Sequence, residues 1–121
     1  MERDSSLDAL LGLDGQVYVI SDEAGYWARF AVTIVPATDA KPHGLDYTLT
    51  LHDRSGERLI GFDNAHPVPT RAGPSGRQRP AQDHRHRLRT VRPYEYRDAA
   101  TLLEDFWKEV EAFCRAKGVK L

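Results

Sequence analysis

Cysteine is nearly missing from these 121 residues: Cys114 is the only one. An internal disulfide is therefore excluded, and a reducing, cytoplasmic setting is expected. Long apolar runs are missing too. No stretch approaches the roughly 18 residues that span a bilayer, so no membrane segment is expected. The opening MERDSSLDALLGLDG is acidic and lacks the basic-then-apolar pattern of a secretory signal, so none is expected. No internal repeat breaks the chain into units. What remains is 40% hydrophobic and 29% charged, the ordinary balance of a soluble domain. The length suits one core, and a single α+β domain over 1–121 is expected.

A net charge of −1 conceals a strong asymmetry. Residues 1–70 carry a net −6, whereas 71–97 hold eight arginines against Asp83 and Glu95, a net +6. Such a split points to a polyanionic partner, unless the acidic and basic segments neutralise each other within the fold.

Hydrophobic spacing predicts the elements. SSLDALLGL (5–13) reads as a short helix with a serine cap. GQVYVIS (15–21) and YWARFAVTIV (26–35) read as one hairpin, LDYTLTLHD (45–53) and RLIGFD (58–63) as a second. Residues 64–82 hold four prolines and two glycines without periodicity and read as a Pro/Arg-rich loop. HRHRLRTVRPYEY (84–96) alternates as a strand up to Pro93. Asp98 then caps a helix over 99–117, with Leu102, Leu103, Phe106, Val110, Phe113 and Cys114 on its apolar stripe and Gly118 beyond its end. Cys114 is thereby expected to be buried rather than reactive. The sum is an antiparallel meander of about five strands with the C-terminal helix packed on one face.

The chemistry concentrates after the loop. Two histidines two apart, His84 and His86, can divide the roles of base and acid near neutral pH. Ribonucleotide cleavage needs that division, and Arg85, Arg87 and Arg89 suit the phosphate. On this reading the chain cleaves RNA without metal. The bland reading is chance spacing with local hydrogen bonds. A metal reading needs a third ligand from Asp83, Asp63 or His66; no cysteine or second histidine pair supports it, and no cofactor is expected. Geometry raises one objection. On a strand the histidines take one face and the arginines the other, so both serve one substrate only at an edge or in a loop.

Asp63 and Asn64 close a strand, where such residues are ordinary turn formers. Their functional reading makes Asp63 the partner that fixes a histidine tautomer and Asn64 a donor to substrate. Tyr94 and Tyr96 suit stacking on bases, or else anchor the start of the helix. The competing class is a non-catalytic module whose 71–97 segment holds RNA, DNA or an acidic protein.

The order of FDN (62–64), DHRH (83–86), PYEY (93–96) and LLEDFW (102–107) resembles the TumE family of bacterial toxins, over about residues 45–115. The resemblance implies a cytoplasmic toxin paired with an antitoxin, often a helix-turn-helix protein. It leaves oligomeric state open, a homodimer included. Nineteen residues separate Asp63 from Asp83, a longer link than in many relatives. Either that loop elaborates the site, or the Asp-Asn motif lies away from the histidines.

Overall fold

Alternating apolar residues along four segments commit the chain to a sheet buried on one side. The computed structural model describes residues 5–38, 43–64, 83–88 and 90–120, with only the backbone of Ser5 and His84. Six strands follow in order: β1 Val17–Ser21, β2 Tyr26–Ile34, β3 Leu45–His52, β4 Arg58–Asp63, β5 His84–Arg87 and β6 Thr90–Pro93. Each pairs antiparallel with its neighbours in the chain, giving a meander with β1 and β6 at the edges. Helix α1 (Ser5–Gly12) precedes the sheet and α2 (Ala99–Ala116) follows it. The α+β class and the meander match expectation; the strand number is six rather than about five.

The extra strand arises because HRHRLRTVRP is a hairpin and not one continuous strand. Arg87 pairs with Thr90, and Leu88 between them has φ +52°. A left-handed leucine is sterically unfavourable, and turn chemistry normally places Gly or Asn there, so the sequence carries no sign of the reversal. The Leu88 amide instead gains a hydrogen bond to the Leu59 carbonyl at 2.8 Å.

Helix α2 has the ends its sequence promised. Asp98 takes an extended conformation and its side chain accepts from the Thr101 amide, satisfying an orphan donor of the first turn. The Ser6 hydroxyl of α1 accepts from Ala100, tying the two helices together. Gly118 follows at φ +72°. Between these ends Leu102, Phe106, Val110, Phe113 and Cys114 are buried, as expected for the stripe. Phe106 meets Phe30 and Phe62 edge-on, at centroid distances of 5.6 and 6.1 Å. The facing strands contribute Ala28, Phe30, Tyr47, Leu49, Leu51, Ile60 and Phe62. This apolar layer, each large side chain worth about 1.5–3 kcal/mol when fully buried, fixes which face of every strand looks at the helix.

Candidate active site

The alternate residues of β3, β4 and β5 face away from α2, and there the two motifs meet. Asp63 lies opposite Thr48 on one side and His84 on the other. His86 lies opposite Gly61, where an added Cβ would be in ordinary contact with the imidazole, 3.6 Å from His86 Cδ2. His86 Nε2 comes 3.2 Å from Asp63 Oδ2, with the His86 side chain 10% and Asp63 1% exposed. The long link between the motifs therefore does not separate them. Antiparallel pairing of β4 with β5 returns the chain directly beside Asp63.

Asn64 plays a different part from the one its motif suggests. It is fully buried. Its side-chain oxygen accepts from the Tyr47 amide at 2.9 Å and its amide donates to the Leu45 carbonyl at 2.7 Å. Its own backbone amide donates to the Tyr47 carbonyl at 3.2 Å. β4 ends at Asp63, opposite Thr48, while β3 extends three residues further to Leu45, and the Asn64 side chain bonds the β3 backbone there as a continuing strand would. Both polar groups are engaged with backbone.

The strand alternation also separates the cations from the imidazole. Arg85 reaches Glu109 of α2 at 3.6 Å, and Arg87 lies over the Phe113 ring at 5.7 Å, both on the helix side of the sheet. Together with Arg92, Thr90, Glu109 and Phe62 they line a cleft of about 250 Å³, which His86 borders from its place between the two arginines. Arg92 pairs across the hairpin with Arg85, and no reading of the sequence singled it out for this cleft. Arg89, His66, the His84 side chain and the body of the Pro/Arg-rich loop, residues 65–82, lie outside the described residues.

Tyr94 is held rather than offered. Its hydroxyl donates to Asp105 of α2 at 2.6 Å and its ring meets Phe62 edge-on at 5.0 Å. Burial, then the Asp105 bond, push its pKa well above the tyrosine range. Among the described residues, no group of three His, Cys, Asp or Glu side chains is close enough to hold a metal ion. Cys114 is buried on α2 and burial raises its thiol pKa, which suits a packing role.

Sequence reasoning passed over a second histidine–carboxylate contact. His43, just ahead of β3, places Nε2 2.8 Å from Oδ1 of Asp83, just ahead of β5. The other Asp83 oxygen accepts from the Tyr47 hydroxyl at 2.6 Å. His43 and Asp83 are forty positions apart in the chain, and nothing short of the tertiary fold brings them together.

Tyr47 yields a prediction of its own. Burial foremost, and then the bond to Asp83, raise its pKa well above the ordinary 10.0. The folded value exceeds the unfolded one, so this contribution to stability is complete below pH 10 and is lost as pH rises beyond it. Above that point the unfolded chain releases the proton while the native state keeps it. Stability is then expected to fall by about 1.4 kcal/mol per pH unit from this one group. Denaturant unfolding at pH 10 to 11.5 checks this: Tyr47→Phe should flatten the slope by that amount, and an unchanged slope refutes it.

Comparison with known families agrees with these motifs. A family model described as Toxin TumE matches residues 14–113, which spans β1 to β6 and most of α2. No curated protein and no solved structure matches the chain. With most of its length under that one model, the chain belongs to the TumE family of toxins.

Proposed function

We propose that this toxin acts on RNA as a metal-independent endoribonuclease in the bacterial cytoplasm, restrained by a cognate antitoxin, with the Asp63–His86 pair at the centre of its chemistry. The observation that carries this reading is the 3.2 Å contact between His86 Nε2 and Asp63 Oδ2. A buried carboxylate against an imidazole fixes the tautomer and stabilises the imidazolium that forms during proton transfer. His84, whose backbone sits opposite Asp63, belongs to the same site. Arg85, Arg87 and Arg92, and Arg89 from the same basic stretch of sequence, hold the phosphodiester backbone.

A second reading has its own observation. Arg85 and Arg87 face the helix side, away from the Asp63–His86 contact, which favours a binding surface independent of the histidines. The two readings part in one experiment. Purified protein is incubated with total bacterial RNA, with and without chelator, and binding is followed as salt is raised. A ribonuclease gives discrete fragments ending in 2′,3′-cyclic phosphate and 5′-hydroxyl, unaffected by chelator. A binding surface leaves RNA intact, and its affinity falls steeply with salt, by a smaller slope for each arginine removed.

A further inference from the structure

A phosphodiester brought to His86 also meets Asp63, whose carboxylate repels it as a like charge at the same contact. Cleavage there calls for a cation on that face of the sheet, and Arg85 and Arg87 are on the other. Resting on the ribonuclease reading above, we propose that Arg58 of β4 is that cation, binding the non-bridging oxygens of the phosphate at His86.

The register of the sheet brings Arg58 there. Simple alternation along β4 would put it with Ile60 and Phe62, toward α2. The ladder slips instead: Leu51 pairs with Ile60 but His52 pairs with Arg58, so Leu59 is an extra residue in a bulge. Leu59 and Ile60 both enter the apolar core, and Leu59 shares a hollow with Tyr26 and Phe113 on the helix side. Alternation resumes one residue out of step, and Arg58 comes to the face that carries Gly61 and His86.

Three side chains close there around one point, the place where a Cβ on Gly61 would stand. Arg58 Cδ is 3.2 Å from it, Thr50 Cγ2 3.5 Å and His86 Cδ2 3.6 Å. The Thr50 hydroxyl is turned to His52 Nε2 at 2.8 Å, which leaves its methyl at this point. Of the three, Arg58 and His86 bring the polar atoms. The guanidinium begins at the atom after Cδ, on a half-buried stem laid across the glycine. Its planar fork suits two phosphoryl oxygens at once, and the contact strengthens as charge gathers on them during attack by O2′. Arg58 keeps its protons throughout, so it neither takes one from O2′ nor gives one to O5′.

Arg58→Met separates the charge from the stem, since methionine keeps an apolar chain over Gly61. Two probes are used. One is a short synthetic RNA spanning a cut mapped on total bacterial RNA; the other carries 2′-deoxyribose at that cut and binds without reacting. Arg58→Met is expected to lower kcat by roughly 10²–10³-fold and to unfold at the wild-type temperature. On the deoxy probe, the plot of log affinity against log salt is expected to lose about 0.7 of its slope, the share of one phosphate contact on a single strand. Arg58→Lys returns the charge without the fork, and is expected to restore that slope and part of the rate. An Arg58→Met protein that cleaves within threefold of wild type at an unchanged salt slope, while His86→Gln is inert, makes the Arg58 stem packing alone and leaves the ribonuclease reading standing. Wild-type protein that leaves RNA intact overturns both.

Discussion

His86→Gln is expected to lower RNA cleavage by roughly 10²–10⁴, and Asp63→Asn by a similar factor, with the double variant no worse than either alone. Residues that act as one unit are not additive: once the imidazole cannot shuttle a proton, its carboxylate partner has nothing left to orient. Glutamine is preferred to alanine because Asp63 is 1% exposed and His86 approaches it at 3.2 Å. Removing the imidazole outright strands a buried carboxylate, a change that destabilises by about 3–5 kcal/mol when a buried pair is broken, and lost folding would then mimic lost catalysis. RNA affinity, measured by anisotropy, should be unchanged in all three proteins, since the arginines of the helix-side cleft are untouched. Growth arrest on induction should follow the cleavage rates. Full toxicity and full cleavage from His86→Gln would remove this pair from the chemistry.

The second large effect falls on stability. Asn64→Ala is expected to destabilise the fold by about 2–6 kcal/mol, because two buried backbone groups lose their partners at about 1–3 kcal/mol each. Those groups are the Tyr47 amide and the Leu45 carbonyl, bonded at 2.9 and 2.7 Å. They belong to the stretch of β3 that, among the described residues, no strand covers on that side, and solvent reaches neither Leu45 nor Tyr47 freely. Urea denaturation measures the change. The outcome also decides what the Asp-Asn motif is for. If Asn64 donates to substrate instead, the variant loses cleavage while its unfolding midpoint stays at the wild-type value. On the geometry seen here, activity per folded molecule should persist and the midpoint should drop.

Much of the fold was legible because local chemistry and tertiary packing agree. Asp98, the stripe from Leu102 to Cys114, and Gly118 each specify α2 independently, and the alternation in β2 and β3 leaves one face for the helix to cover. The reversal at Leu88 was not legible, since leucine gives no turn preference and the φ of +52° is imposed by pairing and by the Leu59 bond. Tyr94 and Asn64 were chemically suitable for substrate, yet packing had already engaged both, one with Asp105 and one with β3.

By itself the sequence determined the α+β class, the helices and the first four strands, the family, and the segregation of arginine from histidine along β5. These follow from periodicity and short motifs, which act within a few residues. Only the tertiary structure decided that Asp63 meets His86, that His43 meets Asp83, and that the arginines look toward α2. Such meetings depend on which strands pair and in what register, and that choice is made by the whole apolar face at once. No segment of this chain contains enough of that face to make it alone.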